Sequence, residues 1–197
     1  MVEAQVKFVV VGHHSRHKQA LCLAESLGAV LLIDNADNGA NWNHRRALEW
    51  AAGQDCRVVV VEDDALPVVG FPVLAAEWLT RFPDSLVSFY LGTGRPPQYQ
   101  LQIAERLIIA DAIRADHITL SRLIHGVCYS VPPQHICRVL SRWDSSKPAD
   151  YAVGDGYAGT VVYPCWSLVD HADGPPAEEH SDRQPRRERR RAWRLYV

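Results

Sequence analysis

A chain of 197 residues, 47% hydrophobic and 22% charged, has room for one well-filled core, and its composition excludes disordered, collagen-like and disulfide-scaffold proteins. No apolar run approaches the roughly 18 residues of a membrane span, and Met1-Val2-Glu3-Ala4-Gln5 lacks the basic start and cleavage pattern of a signal peptide, so a cytoplasmic protein is expected. The net charge of −2 conceals an asymmetry, because seven arginines against Glu188 give +6 over residues 183–197 and leave −8 on the rest. An acidic body (residues 1–176) with a basic, arginine-rich tail (residues 177–197) suggests that the tail meets a polyanion or folds back on the body. Cys22, Cys56, Cys128, Cys137 and Cys165 form no CxxC pair and read as small buried hydrophobes in a reducing compartment.

Val6–Val11 reads as a first strand, broken by Gly12-His13-His14-Ser15 before a helix from about Arg16 to Leu27. Val30–Ile33 is a second strand, closed by Asp34-Asn35. Asn41–Ala52 has helical spacing, with Trp42, Leu48 and Ala51-Ala52 available for packing. Four consecutive valines in Arg57–Val61 mark a third strand buried on both faces, as in a parallel sheet, and Glu62-Asp63-Asp64 follows it directly. Phe71–Arg81 is helical through Leu74, Trp78 and Leu79, and Leu86–Leu91 is a fourth strand ended by Gly92-Thr93-Gly94. The order βαβαβαβ predicts a parallel α/β sheet of nucleotide-binding type.

Gln98–His117 fits either one helix or a pair of short strands. His125–Val131 reads as a strand, and Pro132-Pro133 opens a helix to about Arg142. Gly154, Gly156 and Gly159 loosen a loop around Asp155. Val161–Val169, interrupted at Pro164, is a last strand ending near His171.

Ligands of such sheets collect outside the carboxyl ends of the strands, where Glu62-Asp63-Asp64 stands. Carboxylates there are hard oxygen ligands suited to Mg²⁺ or Mn²⁺ bridging a diphosphate; the competing reading is a solvated turn that caps the next helix. Val11-Gly12 would let the first turn approach a base or ribose, Arg16 would offer bidentate charge to phosphate, and Asp34-Asn35 would bind uracil or ribose edges. Gly12-His13-His14 is not a GxGxxG fingerprint, and His13, His14 and His17 read as a solvated loop rather than a metal cluster. Asn43-His44-Arg45-Arg46 opens a helix, where phosphate is welcome, although Arg45 and Arg46 serve equally as surface charges. Trp166, five residues before His171, and Tyr90, Gly92 and Thr93 are placed to line an acceptor mouth.

Taken in order, these features resemble a small nucleotide-sugar glycosyltransferase of the GT-A fold over roughly residues 6–174. Val61-Glu62-Asp63-Asp64 is similar to the Leu-Glu-Asp-Asp run of lipopolysaccharide and collagen sugar transferases, and His125–Pro133 to the family's glycine-aromatic strand leading into an acceptor-side helix. Asp150–Gly156 stands where inverting members carry an acidic base segment, and Ser167–His171 resembles a late strand whose histidine completes the metal site. The resemblance implies a single-domain, GT-A-like (Rossmann-like) α/β fold, with a mixed, mainly parallel sheet flanked by helices. It implies a hexosyltransferase-like enzyme that moves a sugar from a nucleotide diphosphate-sugar, a UDP-sugar first among donors, to an acceptor hydroxyl. Asp64 is then the first metal ligand with Asp63 close by, and a neutral His171 adds a nitrogen that favours Mn²⁺ over Mg²⁺. One of Glu62 and Asp63 would contact the donor's ribose or sugar. Asp155, with Asp150 behind it, would be the base of a single displacement with inversion.

The tail suits the phosphates of DNA carrying a hydroxymethylated base, the acceptor of some bacteriophage transferases, but an anionic membrane or the protein's own acidic body would serve it equally. Two other classes compete. A nucleotidyltransferase would need a Gly-rich, Lys/Arg-bearing loop, of which Gly12–Arg16 is a poor version, and a non-enzymatic nucleic-acid-binding module would use the acids only to shape a turn.

Overall fold

Valines dominate the two strands at the heart of the molecule, and their alternation feeds a core on each face of one sheet. β1 (Val6–His13), β2 (Val30–Asp34) and β3 (Arg57–Glu62) pair in parallel, with Val9 opposite both Val30 and Val60. The computed structural model describes residues 6–173 and 189–197. Four more strands, β5 (Leu86–Ser88), β6 (His117–Leu120), β7 (Cys128–Ser130) and β8 (Val161–Pro164), complete a seven-stranded sheet of order β2-β1-β3-β7-β5-β8-β6. Five strands run one way; β7, inserted between β3 and β5, and β6 at the edge run antiparallel. β4 (Ala65–Pro67) and β9 (Val169–His171) form a separate antiparallel pair.

Val58 and Val60 face a core shared with α2 (Ala40–Ala52), α4 (Pro97–Ile113), α5 (Pro133–Ser141) and α6 (Ala149–Tyr157). Val59 and Val61 face the opposite core, built with α1 (His17–Leu27) and α3 (Phe71–Arg81). The molecule is therefore an α/β sandwich with helices on both faces of a mixed sheet, the layering that a strand apolar on both sides requires.

Several elements differ from the sequence reading. The Gln98–His117 segment is one helix followed by the start of β6, not two strands. Of Leu86–Leu91 only Leu86–Ser88 is regular strand; Phe89 N still donates to Cys128 O of β7 (2.9 Å), but the Phe89 and Leu91 carbonyls accept from Leu168 N and Trp193 N instead. Val161–Val169 is two strands in two sheets, with Pro164, which has no amide hydrogen to pair, closing the first. Of the five cysteines only Cys128 and Cys165 are buried; Cys22 and Cys137 lie on the outer faces of their helices and are exposed.

The 176/177 boundary of the basic tail lies outside the described residues, as do Arg183, Arg186 and Arg187. The described end, residues 189–197, folds back on the body. Ala192 bridges Gly92 and Leu195 bridges Ser167, Trp193 N donates to Leu91 O (2.8 Å), and Arg194 makes a two-pronged ion pair with Asp111 (both 2.7 Å).

Candidate metal centre

The acids are held from three sides. Glu62 N donates to Val127 O (2.8 Å) and Asp63 N to Val11 O (3.0 Å), which fixes the triplet between the end of β1 and the turn before β7. The chain then enters β4, whose register sets Ala65 opposite His171, and Ala172 N donates to Asp64 O (2.8 Å). A residue more than a hundred positions away is thereby delivered to the acids by strand pairing.

Glu62, Asp64 and His171 each offer a ligand atom, and these atoms lie within 4.8 Å of one another. His171 Nδ1 is 2.8 Å from Ala172 O, and since a carbonyl can only accept, Nδ1 carries the hydrogen of the neutral ring. Its Nε2 therefore faces Asp64 Oδ2, 3.5 Å away, and offers a lone pair to a metal whenever the ring is neutral. Asp64 and His171 are only 6% and 5% exposed, and Asp64 Oδ1 is buried with no hydrogen-bond partner among the described residues. Glu62, Asp64 with its orphaned oxygen, and the His171 Nε2 are residues that could hold a divalent cation beside the guanidinium of Arg16. Two carboxylates and an imidazole fit Mn²⁺, and fit Mg²⁺ less well because of the nitrogen.

Arg16 currently supplies positive charge. Its Nη1 donates to Asp63 Oδ1 (2.7 Å) and, in a still shorter contact, to Asp64 Oδ2. Burial opposes the charge on Arg16, but Asp64 and Asp63 outweigh it and raise its pKa. Burial also pushes the Asp63 carboxyl up to about 6, against the pull of the His13 amide and of Arg16.

Sequence reading placed His44 only in a phosphate-welcoming helix start and missed its link to the acids. It lies on the inner face of α2 with Ala47, Leu48 and Ala51, and that spacing of apolar neighbours is the signal that could have found it. Its Nε2–H donates to Glu62 Oε1 (3.2 Å), and its Nδ1 accepts from the buried Tyr129 hydroxyl (3.1 Å). Burial works to raise the Glu62 carboxyl, yet the His44 hydrogen bond, the positive charge that His44 and His171 carry when protonated and, last, that of Arg190 hold it low. Gly126 makes room for this pair, since a Cβ there would stand 2.8 Å from Glu62 Oε1. His125 and Tyr90 stand beside the centre. His125 Nε2–H donates to Arg95 O (2.9 Å), its buried Nδ1 has no partner among the described residues, and burial holds its pKa down at about 4. Tyr90 packs edge-on to His125 at 5.1 Å and lies 6.1 Å from the His171 ring, and burial raises its pKa.

Other sequence-predicted site residues do different work. Asp155 is not in a loop but in α6, and both its oxygens are engaged, by Arg122 (2.7 Å) and Lys147 (3.0 Å). Gly154 and Gly156 serve close packing: a Cβ would meet Leu123 N at 2.8 Å or Val139 O at 3.0 Å. Asp150, in the first turn of α6, faces the centre electrostatically instead, with burial first and the Glu62 charge next among the effects that raise its carboxyl to about 6.

Val11 and Gly12 are buried, and a Cβ at Gly12 would strike Ala20 Cβ at 2.8 Å and Ile33 Cδ1 at 2.9 Å, so the glycine lets α1 and β2 close on the end of β1. Asp34 is buried, and its oxygens accept from Ala36 N, Asn38 Nδ2 and Gly39 N to turn the chain into α2, which leaves Asn35 exposed and available. His13 and His14 both reach Asp37 Oδ1 (2.7 and 2.9 Å), while His17 opens α1 apart from them. Arg45 pairs with Glu49 on the helix surface, Arg46 covers the half-exposed Trp42, and Trp166 is exposed beneath Arg194.

No family model matches the chain, and no curated protein matches it in sequence. Among solved structures it is similar to the crystal structure of A197 from STIV, with a TM-score of 0.55 and 9% identity over 97% of this chain and 96% of that one. At that identity the likeness concerns the fold alone.

Proposed function

We propose that this protein is a metal-dependent glycosyltransferase that moves a sugar from a nucleoside diphosphate-sugar, a UDP-sugar first among donors, to an acceptor hydroxyl. The observation that carries the reading is the convergence of Glu62, Asp64 and the His171 Nε2 lone pair, with Asp64 Oδ1 unpaired, beyond the carboxyl end of a central strand. A divalent cation at such a site supplies neutralising charge to a diphosphate leaving group.

The chain's own residues prepare for that. His44 fixes the Glu62 carboxylate, and the β4–β9 pair fixes His171. Asp150 is the better general base than Asp155, because a carboxyl with pKa about 6 takes a proton readily near neutral pH, whereas Asp155 is bound to two cations. Among the described residues no helix is long and apolar enough to cross a membrane.

The test is thermal unfolding with and without Mn²⁺ across uridine, guanosine and cytidine diphosphates, followed by turnover on hydroxymethylated DNA. A nucleotide held at about 100 times its Kd in the presence of Mn²⁺ should stabilise the fold by roughly 2.7 kcal/mol, and Asp64→Asn should remove the effect. Absence of any metal-dependent shift would return the chain to the nucleic-acid-binding reading, to be decided by DNA titration at two salt concentrations.

A further inference from the structure

The acidic centre contains its own cation. Both Arg16 contacts run through one nitrogen, Nη1, which touches Asp63 Oδ1 and Asp64 Oδ2, and no hydrogen bond is made by Nε or Nη2 among the described residues. Asp64 Oδ2 is also the carboxylate oxygen that faces His171 Nε2 at 3.5 Å. A guanidinium therefore holds one oxygen, Oδ2, of the carboxylate whose other oxygen, Oδ1, is unpaired, and two cations on one buried carboxylate repel each other in a medium that screens them poorly. The Arg16 side chain is 19% exposed, against 7% and 9% for Asp63 and Asp64, so it reaches solvent more than its acids do. Its remaining donors are those of a fork suited to two phosphate oxygens.

We propose that Arg16 is the resident counter-ion of the metal site: it neutralises Asp63 and Asp64 when no divalent cation is bound, yields Asp64 to the cation, and then binds the nucleotide's phosphates. The inference rests on the metal reading above and adds a coupling to it. Metal and nucleotide strengthen each other's binding, because the arginine released by one is a ligand for the other, and linkage makes the factor equal in both directions. Without nucleotide, metal binding is weakened by the competition with Arg16.

The experiment is a titration of Mn²⁺ alone into the full chain, followed by the electron paramagnetic resonance of free Mn²⁺, for wild type, Arg16→Met and Arg16→Lys, then repeated at fixed uridine diphosphate. Arg16→Met should bind Mn²⁺ about tenfold more tightly than wild type, a difference of about 1.4 kcal/mol, while its affinity for the nucleotide at saturating Mn²⁺ falls. Arg16→Lys, whose shorter ammonium reaches the two acids less well, should move in the same direction by a smaller factor, and it decides the matter if Arg16→Met does not fold. Wild type binding Mn²⁺ while both folded variants bind it equally or more weakly would overturn the role of Arg16 and leave the metal site standing. Failure of all three proteins to bind Mn²⁺ would remove the metal site, and this inference with it.

Discussion

Gly126→Ala isolates the Glu62 carboxylate from the rest of the fold. Gly126 is buried, and the added Cβ would lie 2.8 Å from Glu62 Oε1, 3.3 Å from His44 Cε1 and 3.7 Å from His44 Nε2. An ordinary carbon–oxygen contact is about 3.4 Å, so Oε1 must withdraw by roughly half an ångström, and His44 blocks part of its retreat. The displaced atom is the end of a flexible side chain, so the cost to stability is that of an off-rotamer torsion, about 1 kcal/mol. Metal ligation is far less tolerant, with distances held within about 0.2 Å, and disturbing the shell around a ligand typically costs about 10- to 100-fold in affinity. Gly126→Ala should therefore lower Mn²⁺ affinity by about one to two orders of magnitude with only a small drop in unfolding midpoint, as read by Mn²⁺ titration and thermal melting of the same samples. Undiminished Mn²⁺ affinity in a folded Gly126→Ala protein would show that Glu62 Oε1 is not a ligand.

Four further outcomes follow from the structure. If Asp150 is the base, its raised pKa means that the active, ionised form is lost as pH falls through about 6; kcat/KM should drop about tenfold per pH unit below that point, and Asp150→Asn should abolish turnover while Asp155→Asn preserves it. The same shift makes the native state bind the Asp150 proton more tightly than the unfolded chain, so stability should fall as pH rises from about 4 to about 6, a slope that Asp150→Asn reduces in urea melts. His44→Ala strands the Tyr129 hydroxyl in the core and frees Glu62, with an expected loss of about 2–4 kcal/mol by denaturant unfolding and weaker Mn²⁺ binding. Arg57→Met leaves Ser130 and the carbonyls of Phe82, Pro83 and Ser85 without their buried guanidinium, whose pKa burial already lowers to about 10; about 3–5 kcal/mol of stability should be lost with Mn²⁺ affinity unchanged in whatever protein folds.

Local pattern and distant pairing were not equally legible. Phe71–Arg81 and the valine strand followed by acids are visible in the sequence because periodicity and β-branching act over a few residues. The antiparallel insertion of β7 between β3 and β5 is not, since nothing in His125–Val131 says which strands it joins. Glycines misled most. Gly154 and Gly156 read as a loosened loop, yet they let α6 approach the 123 and 139 backbones, so the glycine signal was one of proximity rather than of turning. Asp34 looked available at a strand end, but whether a carboxylate faces a ligand or its own loop depends on the next five residues' conformation. The link of His44 to the acids was overlooked because a histidine on an apolar helix face is chemically mute until its partners, Glu62 and Tyr129, arrive from elsewhere in the chain.

The pairing of β4 with β9 also bears on how the chain acquires its structure. Ala65 and His171 meet across about a hundred residues, so closing that loop is entropically expensive and depends on the intervening sheet having formed. An unfolded chain presents the acids and the imidazole as two separate, weak half-sites. If Glu62, Asp64 and His171 bind a cation as proposed, one in the refolding buffer would leave early collapse untouched and act late, selectively holding molecules that have completed the small sheet. Refolding yield, more than refolding rate, is where its presence should register.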